Sequence, residues 1–108
     1  MAKKITIGIK EPGKYWHFRE VEDRLRTYQQ IVGGHIEMCH AREDGILIFG
    51  NEEGKLLGLK PNIFLPRETI VGTVFAVRSD EEGEFISLTG EDIRSMCESR
   101  AEEKWPTE

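Results

Sequence analysis

The run of residues 69–77 constrains the fold of this chain more than any other segment. Its residues are apolar or β-branched at both odd and even positions, whereas a strand with one solvent-facing side alternates apolar and polar residues. The run therefore predicts a central strand that is covered on both faces. Gly72 within it allows a bulge or the close approach of another segment. A length of 108 residues is enough for one core around such a strand.

Short strands joined by tight turns are predicted for most of the remaining sequence. Residues 4–10 alternate isoleucine with polar or small residues, which predicts a strand with one buried face. Pro12 and Gly13 suit a type II turn, so the aromatic-rich residues 15–21 are expected to return as a second strand. Turn sequences also separate three further predicted strands, at residues 35–42, 46–50 and 84–88.

Two helices complete the predicted fold. Residues 22–32 carry apolar side chains at three- and four-residue spacing, and Gly33 and Gly34 follow as a C-terminal stop. Thr89 and Asp92 form a capping-box pattern at the start of a second helix, whose expected buried residues are Ile93, Met96 and Cys97. The sequence thus predicts one α+β domain over residues 1–108, with a mainly antiparallel sheet of five or six strands, two helices and a polar tail at 101–108.

Residues 55–67 are interpreted as an irregular folded loop that carries three basic residues and no acid, in a chain of net charge -5. Apolar area next to basic and amide groups suits a small anionic ligand such as a nucleotide. The candidate ligand-binding residues are Lys55, Lys60, Asn62, Arg67 and, just before the loop, Asn51. In the alternative interpretation, the leucines only cover the core and the bases balance neighbouring acids.

Three side chains at strand spacing, His35, Glu37 and Cys39, are expected to share one face. Together with Cys97 they could supply zinc ligands, but the Pro-Cys-x-x-Cys pair of the zinc deaminases is missing. A cysteine hydrolase would need a local signature that is also missing. The paired acids fall in predicted turns, where solvation leaves a carboxyl group unperturbed. The sequence therefore predicts no catalytic residue, no metal and no cofactor.

Charge and hydropathy exclude several classes of partner. Twenty acids against fifteen bases argue against binding nucleic acid over a broad face, because phosphates require clustered lysine and arginine. The longest apolar runs are far shorter than the roughly 20 residues that span a bilayer. The first residues alternate like a strand and lack the apolar block of a signal peptide. We therefore expect a soluble, cytoplasmic protein whose two cysteines are free thiols.

Five ordered segments resemble a domain of unknown function found in small proteins of bacteriophages, mobile elements and their hosts. They are Tyr-Gln-Gln-Ile-Val-Gly-Gly-His-Ile-Glu at 28–37, Asn-Glu-Glu-Gly-Lys-Leu at 51–56, Gly-Leu-Lys-Pro-Asn at 58–62, Ile-Val-Gly-Thr at 70–73 and Glu-Phe-Ile-Ser-Leu-Thr at 84–89. The resemblance covers about residues 22–94. It implies a phage or mobile-element setting and brings no catalytic residue with it.

Together these features predict a non-enzymatic accessory protein that binds and sequesters a host factor. The first hypothesis for that factor is a small anionic nucleotide that signals in antiphage immunity, held in a site that a homo-oligomer completes. The alternative is a protein-protein adaptor or inhibitor of a host enzyme. Its anchors would be Tyr15, Trp16 and Phe18, or Trp105, since aromatic side chains are frequent interface hot spots. A third hypothesis is a small hydrolase of such a signal that uses Cys39 or His35.

Overall fold

Six strands form one antiparallel sheet and two more form a separate ribbon in the computed structural model, which describes residues 3–99. In chain order the elements are β1 (Lys4–Lys10), β2 (His17–Glu22), α1 (Leu25–Val32), β3 (Ile36–Ala41), β4 (Leu47–Asn51), β5 (Pro61–Leu65), β6 (Glu68–Val71), β7 (Val74–Ser79), β8 (Phe85–Ile86) and α2 (Gly90–Ser99). The sheet has the order β2-β1-β7-β4-β3, and β8 pairs with β7 outside this order. Strands β5 and β6 form the ribbon. The predicted α+β class, with two helices and a mainly antiparallel sheet, is confirmed.

Strand β7 lies at the centre of the sheet and is buried on both faces, as its sequence predicts. Its alternate side chains belong to two different clusters. Phe75 and Val77 pack with Tyr28 and Val32 of α1 on one face. On the other face, Val74 and Ala76 pack with side chains of α2 and of the ribbon. The molecule therefore has three layers, with the sheet in the middle.

The prediction of one continuous strand over residues 69–77 was wrong. The chain changes direction at Gly72, whose φ is 79°, a conformation that only glycine adopts without strain. A Cβ atom at this position would lie 2.7 Å from Cδ1 of Leu59. Apolar residues stand on both sides of the break and hide it from the sequence pattern, so residues 69–71 were predicted as part of the central strand although they belong to β6 of the ribbon.

The prediction of an irregular loop over residues 55–67 was wrong for its second half. Residues 52–58 form turns, but β5 begins at Pro61 and pairs with β6. Pro66 and Arg67 form the two-residue turn between these strands. Proline is tolerated at the first residue of a strand and in a turn, so the two prolines flank β5 rather than interrupt it.

The predicted hairpin of β1 and β2 is present, but β1 does not have only one buried face. Ile5, Ile7 and Ile9 face α1, and Gly8 and Lys10 on the opposite face are also buried. A Cβ at Gly8 would lie 3.2 Å from the rings of both Trp16 and Phe18, and 3.4 Å from the terminal methyl group of Met96. The missing side chain at Gly8 leaves the space that these three side chains occupy.

The Lys10 side chain is only 1% exposed and joins the sheet to the ribbon. Its Nζ donates to Oδ1 of Asn62 at 2.7 Å and to the Asn62 carbonyl at 3.2 Å. In return, Nδ2 of Asn62 donates to the carbonyls of Lys10 at 2.8 Å and Gly72 at 2.7 Å. A buried amide with its donors and acceptor satisfied in this way holds the start of β5 against the end of β1.

The predicted end of α1 and the predicted start of α2 are confirmed in their hydrogen bonds. The prediction that the first helix begins at residue 22 was wrong, because that residue ends β2 and α1 begins at Leu25. Helix α1 ends at Gly33, whose φ is 81°, and the N–H groups of Gly33 and Gly34 donate to the carbonyl of Gln29 at 2.8 and 3.1 Å. Three of the predicted turns are each closed by a hydrogen bond from a backbone N–H to the carbonyl three residues earlier. The pairs are Lys14 with Glu11, Gly45 with Arg42 and Gly83 with Asp80. No helix within residues 3–99 is long and apolar enough to cross a membrane.

The capping box of α2 is part of a larger polar contact. The N–H of Thr89 donates to Oδ2 of Asp92 at 2.9 Å, and the N–H of Asp92 donates to Oγ1 of Thr89 at 3.0 Å. Arg78 of β7 donates through Nε and Nη2 to both Asp92 oxygens, at 2.6 and 2.8 Å. These hydrogen bonds lower the pKa of Asp92 to about 2, and those from Arg78 have the largest effect.

On α2 itself, Met96 is buried and Ile93 is half-buried, as predicted, but the prediction of a buried Cys97 was wrong because its side chain is exposed. Cys97 follows Met96 directly, and the next residue of a helix is rotated by about 100°. The polar tail at 101–108 and Trp105 lie outside the described residues.

Replacing Asn62 should destabilise the fold through the Lys10 contact. For Asn62→Ala we expect the free energy of unfolding to fall by about 3 kcal/mol, because the buried Nζ of Lys10 and two backbone carbonyls lose these hydrogen bonds. Urea unfolding followed by circular dichroism measures the change. Arg67→Ala, at an exposed position in the turn after β5, should change the free energy of unfolding by less than about 0.5 kcal/mol. Equal values for the two variants would contradict the role of Asn62.

The Arg78–Asp92 contact should make stability depend on pH in the acid range. The pKa of Asp92 is about 2 in the folded protein against 3.8 as the ordinary value. The contact therefore contributes about 2 kcal/mol above pH 5, and this contribution is lost as pH falls toward 2. Asp92→Asn should lower stability at pH 7, and the difference from the native protein should shrink between pH 5 and pH 3 in denaturant titrations. Glu98→Gln, at an exposed site on the same helix, should show no such convergence.

Candidate functional site

A cleft of about 380 Å³ opens between the sheet and the ribbon. One side is β3, the last strand of the sheet, and the other side is β6. The turns that follow β4 close the space between them. The lining residues are 37–39, 51–56 and 68–71.

The lining of this cleft is acidic. Four glutamates line it against a single base, Lys55, which amounts to a formal charge of 4 × (-1) + 1 = -3. The four are Glu37, Glu52, Glu53 and Glu68. All four are exposed, so the cleft presents negative charge to solvent and favours a cationic group over an anionic one.

Two apolar side chains flank these acids. Met38 is 52% exposed and Leu56 is 87% exposed, although both are large and hydrophobic. Leu56 lies within the turns of residues 52–58. In this segment the N–H of Leu57 donates to the backbone carbonyl of Glu53 at 2.9 Å, and the N–H of Leu59 donates to the backbone carbonyl of Gly54 at 3.0 Å. Exposed apolar side chains beside polar ones are a common feature of protein interaction sites.

Cys39 lies at the inner wall of the cleft and is half-buried against the core. Its Sγ would be only 3.0 Å from a Cβ at Gly50, so the glycine makes room for the sulfur. Burial is the main cause that raises the pKa of the Cys39 thiol, and Glu37 and Glu68 raise it further. The thiol therefore stays protonated at neutral pH, which makes it a poor nucleophile.

The three predicted basic ligands are not brought together. Lys55 lines the cleft. Lys60 precedes β5 and its carbonyl accepts a hydrogen bond from Gly72, whereas Arg67 lies in the turn at the far end of the ribbon. The five residues of β5 place Lys60 and Arg67 roughly 17 Å or more apart. A single small anion cannot contact all three.

The two predicted asparagines are used inside the fold. Asn62 is buried in the contact with Lys10 and Gly72. Asn51 lines the cleft but is only 9% exposed; its Nδ2 donates to the carbonyl of Val32 at 3.2 Å and its Oδ1 accepts from the N–H of Glu53 at 2.7 Å. Asn51 thereby holds the turn that carries three of the charged lining residues.

The three predicted partner-binding aromatics have different environments. Trp16 is 9% exposed and belongs to the core, and Phe18 is half-buried against the same cluster. Tyr15 is 47% exposed, which is more than either of the other two. Trp16 and Phe18 therefore serve packing in this fold.

Glu37 and Cys39 both line the cleft, as does Met38 between them, whereas His35 lies before β3. Across residues 3–99 no three histidine, cysteine or acidic side chains are arranged to hold a metal ion. Five residues that line the cleft were not among the predicted site residues although the site depends on them: Met38, Glu52, Glu53, Leu56 and Glu68. Glu68 joins the other acids only because the ribbon folds beside β3, and no local pattern in the sequence signals that approach.

Comparison with known proteins adds a family but no activity. A family model described as "Domain of unknown function (DUF3846)" matches residues 5–101. The match includes β2 and all of β1 except Lys4, and so extends beyond the region of about 22–94 that the motifs indicate. Its description names neither a phage nor a mobile-element setting. No curated protein and no solved structure matches this chain.

The reactivity of the two cysteines should differ in a way that reports on the cleft. Cys39 should react with iodoacetamide severalfold more slowly than the exposed Cys97 at pH 7.5, since its pKa is raised and it is half-buried. Removing two carboxylates in the double variant Glu37→Gln, Glu68→Gln should speed the Cys39 reaction. Peptide mass spectrometry after timed quenching measures both rates. An unchanged Cys39 rate would contradict the electrostatic effect of the cleft.

Proposed function

The chain belongs to the DUF3846 family, and we propose that it is a non-enzymatic binding module that holds a protein partner in the cleft between β3 and β6. The observation that carries the proposal is the pairing of four exposed glutamates with exposed Met38 and Leu56. This lining fits a partner segment that presents lysine or arginine next to apolar residues. Such a module would act as an adaptor or as an inhibitor.

The two kinds of lining residue have different effects on binding. Exposed ion pairs each contribute about 0.2–1 kcal/mol, so the glutamates mainly select the partner and speed its approach. Burial of Met38 and Leu56 against an apolar side chain would supply most of the affinity, because apolar contact contributes roughly 25 cal/mol for each Å² removed from water. Methionine adapts to different partner shapes through its flexible side chain.

A small anionic nucleotide remains the alternative ligand. Lys55 supports it as a base in the lining, but the phosphates would also meet the four carboxylates. Like charges at such distances cost binding energy, so the cleft favours the protein partner. The lack of an activated thiol at Cys39 supports a binder over a hydrolase.

The phage or mobile-element setting is a further part of the proposal. It rests on the resemblance of the five sequence segments. In that setting the partner is a host protein in the cytoplasm, and its capture would block or redirect it.

Peptide selection tests the proposed partner chemistry directly. Random 12-residue peptides displayed on phage would be selected on the immobilised protein, and we expect enrichment of lysine or arginine beside apolar residues. Enriched peptides would then be titrated by fluorescence anisotropy. Glu37→Gln, Glu68→Gln should weaken binding about fivefold, the effect of two exposed charge contacts, and Leu56→Ala should weaken it by about tenfold.

The matched control is Glu81→Gln, Glu82→Gln, which removes the same charge at exposed positions outside the cleft. It should bind the selected peptides as the native protein does. Enrichment of acidic peptides would contradict the proposal. A calorimetric signal from a panel of cyclic and linear nucleotides, lost in Lys55→Ala, would instead support the nucleotide alternative.

A further inference from the structure

We infer that the partner segment binds as an added β-strand, in extended conformation, between the edges of β3 and β6. The inference rests on the proposed function and specifies the shape and side-chain order of the partner. It is carried by one juxtaposition, in which two strand edges lie on opposite sides of the same acidic cleft.

The edge of β3 that faces away from β4 pairs with no other strand of residues 3–99. The N–H of Glu52 donates to the carbonyl of His35 at 2.8 Å, which extends the β3–β4 ladder by one residue. In an antiparallel pair the backbone groups of alternate residues point to the partner strand and away from it. Those of Ile36 and Met38 therefore point away from β4, along the side of the strand that borders the cleft.

The ribbon presents a second edge. All four residues of β6 line the cleft, and no residue of β5 is among the lining residues. Because β5 covers one edge of β6, the other edge faces the cleft. The turn between β5 and β6 has two residues, so the residues on either side of it, Leu65 and Glu68, form a hydrogen-bonded pair. Because the direction of the backbone groups alternates along a strand, those of the next residue, Thr69, point away from β5.

These edges define the length and the pattern of the occupant. Three residues of β3 and four of β6 line the cleft, which suits about four extended residues, roughly 13 Å of chain. A register shift between Met38 and His40 ends the regular edge of β3. Side chains of an added strand alternate, so basic residues at every second position would meet the glutamates while the apolar residues between them contact Met38 and Leu56.

Charge favours a different protein over a second copy of this chain as the source of the strand. The other edge strand of the sheet is β2, His-Phe-Arg-Glu-Val-Glu, which has two acids and one arginine. Pairing this edge with the acidic cleft would bring like charges together. An extended segment rich in lysine or arginine has the complementary charge.

Three synthetic peptides test the strand arrangement on the full chain. The parent is acetyl-Lys-Val-Arg-Val-Lys-Val-amide, a second peptide carries backbone N-methyl groups on its three valines and a third on its three basic residues. N-methylation removes the N–H groups on one edge and leaves the side chains unchanged. We expect the parent to bind in fluorescence anisotropy and each methylated peptide to bind at least tenfold more weakly. Hydrogen exchange should slow at the amides of Met38 and Thr69 when the parent binds.

The outcomes separate this inference from the proposed function. Methylated peptides that bind within twofold of the parent would overturn strand addition, and so would a parent that fails while basic peptides from the selection bind; the proposed function survives both. If no basic peptide binds, the inference and the proposed function are both contradicted. Sedimentation of the protein alone as a dimer, with the Met38 and Thr69 amides protected, would show a second copy in the cleft and overturn the inference. Binding of the parent should weaken in Glu37→Gln, Glu68→Gln and persist in Glu81→Gln, Glu82→Gln.

Discussion

The buried contact between Lys10 and Asn62 holds the ribbon against the sheet. It joins the end of β1 to the start of β5, and through the carbonyl of Gly72 it also reaches the link between β6 and β7. A lysine that is almost fully buried must have its side-chain nitrogen hydrogen-bonded, because a buried polar group without such bonds costs several kcal/mol. The geometry of the ribbon is therefore set by a polar contact inside an apolar layer.

The candidate site is a consequence of that placement. Once the ribbon lies against the sheet, β6 stands opposite β3, and glutamates from three separate segments line one cleft. The same approach puts Glu37 and Glu68 near Cys39, where they add to the effect of burial on its pKa. Charge, exposed apolar area and two strand edges thus occur together at one place, which suits recognition of another chain better than chemistry on a small molecule.

Local signals in the sequence predicted the local structure well. The turn at Pro12 and Gly13, the stop of α1 at Gly33 and the capping box of α2 were all correct, because each depends on backbone geometry or hydrogen bonds within a few residues. The candidate site was predicted poorly. Lys60 and Arg67 are close in sequence yet lie at opposite ends of the ribbon, and Asn62 turned inward to Lys10.

The α+β class, the central position of β7 and the excess of negative charge follow from the amino-acid sequence, since periodicity and composition depend on neighbours along the chain and on residue counts. The break of the apolar run at Gly72, the burial of Lys10 and the convergence of the acids on one cleft are properties of the folded molecule that the sequence patterns do not contain. Each of these depends on contacts between residues far apart in the chain. Such contacts are chosen by packing of whole layers, and no short window of residues contains that information.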